Sequence, residues 1–113
     1  MKSKILALSK NEEFKSLLNQ KKISTKYVTI FFGKLENKNK NKLNISFVTK
    51  KKIGNAVKRN KIKRRLRNIV NDALKNISLK FDYSYLVIAK PTMLNKEYTI
   101  IKETLFGDME KIQ

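Results

Sequence analysis

Apolar side chains return every three or four positions between Ile62 and Ile77: Ile62, Leu66, Ile69, Val70, Ala73, Leu74 and Ile77. That period lays a continuous stripe along one side of an amphipathic helix. We place the helix over residues 55–77, with Asn55 as its N-cap. Elsewhere the period is two. Leu43, Ile45 and Phe47 alternate with Asn44 and Ser46, as in a strand with one buried face. The β-branched and aromatic runs Tyr27–Phe32 and Tyr83–Lys90 read as further strands, ended by Gly33 and Pro91.

Two shorter helical patterns flank these elements. Near residues 10–20, Phe14, Leu17 and Leu18 share a helical face, and Ser9 with Glu12 makes an S-x-x-E capping box. Over residues 94–112, Leu94, Tyr98, Ile101, Leu105 and Ile112 point inward, and Gly107 weakens the second half. The polar stretch NKNKNK, Asn37–Lys42, is a loop, and the strands on either side of it are expected to form an antiparallel hairpin. The order is α-β-β-α-β-α, with a further short strand near residues 22–25. No repeat is present, and 113 residues suit one domain, 1–113, with a modest core.

Charge changes the picture most. Lys and Arg total 27 against 9 Asp and Glu, a formal net charge of +18. Such an excess strains a fold by self-repulsion unless a polyanion screens it, which points first to nucleic acid and second to an anionic membrane surface. Cysteine and histidine are absent, which removes thiolate and imidazole chemistry. The acids do not suggest a metal cluster: Glu12 and Glu13 diverge on a helix, and Asp82, Glu97, Glu103, Asp108 and Glu110 are scattered. A free-standing nuclease is therefore disfavoured. The N-terminal apolar run, Ile5–Leu8, is shorter than the roughly seven to fifteen residues of a secretory signal. No run reaches the roughly 18 apolar residues of a membrane span, so a cytoplasmic location is expected.

The cations are not evenly spread. Residues 37–71 hold thirteen basic residues and no acid, and every arginine lies within Arg59–Arg67. At about 100° per residue, Asn60, Arg64, Arg67 and Asn71 fall opposite the Leu66 stripe, flanked by Lys61 and Asn68. A solvated helix face usually mixes signs for i,i+4 pairing; this one repels itself until an anion arrives. Arginine donates two parallel hydrogen bonds to phosphate and stacks on bases, whereas lysine is a point charge. Lys50–Lys52 are expected to close the preceding strand, Gly54 to permit a tight turn, and the helix N-terminus to favour phosphate. On these features alone, a ribosomal or other structural RNA-binding protein remains an alternative.

The run KKIGNAVKRNKIKRRLR, Lys51–Arg67, resembles the signature of the bacterial ribonuclease P protein subunit, the small basic partner of a catalytic RNA. The matching residues are Lys52, Gly54, Ala56, Val57, Arg59, Asn60, Ile62, Lys63, Arg64 and Arg67. LSKNEEF, ending at Phe14, resembles the family's first helix start. The resemblance implies an α+β fold, an α/β sandwich with a central mixed sheet packed by helices and a left-handed β-α-β crossover at the long helix. It implies binding of the catalytic RNA subunit through Lys52, Asn55, Arg59, Asn60, Lys61, Arg64 and Arg65. It also implies a cleft for the 5′ leader of precursor tRNA, lined by Phe14, Leu18, Val28 and Ile30 and bordered by Lys63 and Arg67; Tyr27 and Phe31 are then core residues. Hydrolysis would be performed by the RNA with Mg²⁺ bound mainly by RNA, with no catalytic side chain, no protein-borne cofactor, no membrane and no obligate protein partner. Two positions depart from the pattern. Lys61 stands where the family has a second arginine, keeping the charge without the fork. Leu18 stands where a second cleft aromatic is usual.

Overall fold

A mixed five-stranded sheet divides the molecule into two layers of unequal thickness. The computed structural model describes residues 5–6, 11–35, 42–77 and 82–112. In chain order these form β1 (Ile5–Leu6), α1 (Asn11–Leu18), β2 (Lys21–Ser24), β3 (Val28–Gly33), β4 (Leu43–Val48), α2 (Ala56–Asn76), β5 (Ser84–Ala89) and α3 (Tyr98–Glu110). Strand order is β1-β4-β5-β3-β2. β3 runs antiparallel to β2 and β5, while β4 runs parallel to β5 and β1.

The expected hairpin between the strands at 27–32 and 43–48 does not form, because β5 lies between β3 and β4. Nine residues separate β3 from β4, long for a hairpin connection, and the turn that does close a hairpin is the short one between β2 and β3. β4, α2 and β5 form a parallel β-α-β unit of adjacent strands, the connection that the resemblance places at the long helix. The capping box at Ser9 and the loop at 37–41 lie outside the described residues.

One face of the sheet is closed by α2 and α3. Its cross-strand rows run Ile45–Tyr85–Phe32–Lys21 and Phe47–Val87–Ile30–Ile23. Onto it α2 lays Ile62, Leu66, Ile69, Val70 and Ala73, α3 lays Ile101, Leu105 and Met109, and Ile112 follows from the turn after α3. Tyr27 joins this core, as expected. Asn55 caps α2, its side-chain oxygen accepting the Lys58 N–H at 3.0 Å.

Among the described residues, the other face carries only α1. Its rows run Ser46–Leu86–Phe31–Lys22 and Val48–Ile88–Thr29–Ser24. Leu17 and Leu86 are buried between helix and sheet, and Phe14, Phe31, Leu35, Val48 and Ile88 are partly buried around them. An eight-residue helix does not span the face, so a half-open apolar cleft remains.

Candidate nucleic-acid interface

The outward face of α2 is set by its inward one. The stripe from Ile62 to Ala73 is buried, which turns Asn60, Arg64 and Arg67 to solvent. Val57, Asn60, Lys63, Arg64 and Arg67 line one open groove along the helix. None of its three cations has an ion-pair partner among the described residues. The ion pairs found there are Lys34–Asp82 at 3.5 Å and Lys102–Asp72 at 2.8 Å, both away from the groove. An acid-free row of guanidinium and ammonium groups gives a field of one sign along one helix.

The approach to α2 differs from expectation. Lys50–Lys52 do not close a strand: β4 ends at Val48, and Lys51–Ile53 make a 3-10 turn whose Ile53 enters the core. Gly54 follows with φ 146°, and an added Cβ would meet the Lys58 side chain at 2.8 Å. Only glycine fits there without strain. The turn leaves Lys51 and Lys52 exposed beside the α2 N-terminus.

The expected RNA-subunit residues do not share one face. Asn60 and Arg64 line the groove, and Lys61 is exposed on its flank. Arg65 is partly buried. Arg59 lies two turns before Leu66, close to the buried azimuth; it is partly buried, with its Nε enclosed and without a hydrogen-bond partner. Asn55 commits its side-chain oxygen to the cap. Lys63 and Arg67, expected at the border of the cleft, lie in the groove with Arg64.

The cleft requires a correction. Val28 and Ile30 are 0% and 2% exposed and belong to the closed core, so they do not line it. Strand parity is off by one: Phe31, read as core, is the β3 aromatic on the open face, beside Leu86. Phe14 does face the cleft, but Leu17 is the residue that anchors α1, and Leu18 is 48% exposed outside the apolar cluster. Lys22, opposite Phe31 on β2, holds its Nζ 6.0 Å from the ring centroid. It brings a cation to an aromatic surface, and the strand pattern gave no sign of it. Lys90, just after β5, donates to the Ser24 hydroxyl at 2.8 Å and to the Thr25 carbonyl, pinning the β2–β3 turn to the sheet.

A half-open aromatic cleft on one face and an unpaired cationic helix on the other describe a nucleic-acid-binding α+β protein. The sequence profile of the Ribonuclease P family matches residues 3–113, and the chain belongs to that family. The ribonuclease P protein component of Carboxydothermus hydrogenoformans is 35% identical over 102 residues, covering 87% of this chain and 83% of that one. That of Mycoplasma mycoides is 30% identical over 106 residues, covering 94% of both. The fold is similar to the ribonuclease P protein of Thermotoga maritima, with a TM-score of 0.79 at 22% identity over 96% of this chain and 98% of that one. It is also similar to that of Staphylococcus aureus, with a TM-score of 0.77 at 21% identity over 94% and 93%.

Proposed function

We propose that this chain binds the catalytic RNA of ribonuclease P through the groove side of α2 and the 5′ leader of precursor tRNA along the open face of the sheet. The observation that carries this reading is the unpaired row of Lys63, Arg64 and Arg67 within a tract of thirteen basic residues and no acid. Counterion release from phosphates makes such a surface bind RNA strongly and with steep salt dependence. Phe14 and Phe31 offer ring surface for leader bases, and Lys22 a charge for the adjoining phosphate.

In this reading hydrolysis belongs to the RNA. Mg²⁺ is taken to be bound mainly by RNA phosphates, where it screens their charge. The protein holds two polyanions together, retains the leader and lowers the Mg²⁺ needed to screen their repulsion. Its site of action is the compartment where tRNA is made, and among the described residues no helix is long and apolar enough to cross a membrane.

The test is 5′ processing of a labelled precursor tRNA across a Mg²⁺ series, with protein alone, RNA subunit alone and both. Protein alone is expected to cleave nothing. The mixture is expected to cleave at low Mg²⁺, where the RNA alone is poor, with the advantage shrinking at high Mg²⁺ or high salt. Site-specific cleavage by RNase-treated protein would overturn the assignment of chemistry to RNA. Failure to stimulate the cognate RNA would move the chain toward structural RNA-binding proteins.

A further inference from the structure

One residue of the α2 groove does not suit a surface made only for phosphates. Val57 is 75% exposed, the most of the large apolar side chains among the described residues. Solitary exposed apolar residues are common and need no explanation. Val57 is set apart by its neighbours, since it lines the same groove as Asn60, Lys63, Arg64 and Arg67. The residues beside it in the first turn are engaged elsewhere: Asn55 caps the Lys58 N–H, and the Lys58 side chain runs against Gly54.

Valine methyls gain nothing from a phosphate. They gain from an apolar surface taken out of water, which in RNA is the face of a base or ribose. Continuous A-form duplex hides its base faces in the stack, and its deep, narrow major groove keeps side chains out. A base face becomes available where a nucleotide is unpaired and unstacked. Along α2 the spacing 57, 60, 64, 67 keeps the valine, the amide and the two guanidinium groups on one side over three turns.

We propose that Val57 seats an unpaired nucleotide of the bound RNA, with its base on the valine methyls. Asn60 meets the base edge or ribose hydroxyl, and Lys63, Arg64 and Arg67 hold the adjoining phosphates. The inference rests on α2 being the RNA-binding face. It adds that the groove takes a nucleotide from a bulge, loop or junction, and that binding has an apolar component which salt does not screen.

The experiment measures affinity of the full chain for its cognate RNA subunit and for a fully paired RNA duplex, over a salt series, with Val57→Ser, Val57→Ile and Arg64→Ala. Val57→Ser is expected to lose about tenfold on the RNA subunit, the value of a buried valine, with the slope of log K against log salt unchanged. It should lose nothing on the duplex, and Val57→Ile should bind at least as well as the native chain. Arg64→Ala should weaken both RNAs and reduce the slope by about one phosphate's share. If Val57→Ser binds the RNA subunit like the native chain while Arg64→Ala is weakened, the seat is refuted and the RNA-binding face stands. An equal loss by Val57→Ser on the duplex also refutes it. If Arg64→Ala too leaves affinity and slope unchanged, the RNA-binding reading of α2 falls, and the seat with it.

Discussion

The two faces of the sheet are built from the same strands and end in opposite states. On the closed face, α2 and α3 bury Ile30, Val87, Ile45 and the stripe around Leu66. On the open face, the eight-residue α1 buries Leu17 and Leu86 and leaves Phe14, Phe31, Val48 and Ile88 half covered. The closed face supplies stability, because apolar area removed from water is the main favourable contribution to folding. The open face keeps apolar and aromatic surface that folding does not use, with Lys22 at its edge. The fold thus separates the face that holds it together from the face proposed to meet the leader, and that separation is what substitutions should expose.

The largest effect is expected on the closed face. Leu66→Ala should cost roughly 2–5 kcal/mol of stability, since Leu66 is 1% exposed and its removal leaves a cavity. Ile30→Ala should fall in the same range. Urea unfolding measures both, and the folded fraction of either variant should bind RNA like the native chain. A loss of affinity without loss of stability at Ile30 would put that residue back in the cleft.

The open face should respond the other way. Phe31→Ala and Phe14→Ala should each weaken binding of leader-bearing precursor tRNA to the assembled ribonucleoprotein by about 1–3 kcal/mol, the range for a base stacked on an aromatic ring. Mature tRNA, which has no leader, should bind unchanged. Equal losses for both RNAs would make the two rings structural and erase the functional difference between the faces.

The unequal legibility of the two faces in the sequence follows from the same comparison. The α2 helix was readable because a single long period fixes both its sides: once Leu66 is inward, Arg64 and Arg67 must be outward. β3 was not, because VTIFF lies in mid-sheet and is apolar toward both faces, so alternation could not say which parity met α1. Val28 and Ile30 were therefore exchanged with Phe31. The hairpin expectation failed for another reason: insertion of β5 between β3 and β4 is a long-range pairing that leaves no mark on either strand's pattern. Val57 was visible only as a motif letter; its exposure inside a cationic groove needed the folded helix.

A smaller change should strengthen the closed face without touching the open one. Gly107 lies within α3, is exposed, and an added Cβ would meet nothing within 4 Å. Gly107→Ala should raise stability by about 1 kcal/mol, by restoring helix propensity and restricting the unfolded chain. The urea midpoint should rise at unchanged slope, with leader affinity unaltered. A drop would mean that α3 needs the glycine for a contact the fold does not show.

The smallest effect concerns the ion pair that ties the two helices of the closed face. Lys102 on α3 donates to Asp72 on α2 at 2.8 Å. That hydrogen bond, helped by the charges of Lys102 and Lys75, holds the Asp72 carboxyl below the ordinary aspartate range against the opposing effect of desolvation. The same hydrogen bond lifts Lys102 above the ordinary lysine range. The signs follow from linkage. Asp72 binds protons less readily folded than unfolded, so its stabilisation is present above the ordinary aspartate value and lost as pH falls through the depressed one. Lys102 holds its proton more tightly folded, so its share is present below the ordinary lysine value and lost as pH rises through the elevated one. Between those limits the pair adds a small, salt-screened increment, as exposed pairs do. Asp72→Asn should therefore lower the melting temperature slightly near neutral pH and low salt. The difference from the native chain should close in strong acid, where the carboxylate is already protonated, and in high salt. A deficit that persisted unchanged through acid would come from packing between α2 and α3, and the closed face would then owe nothing to charge.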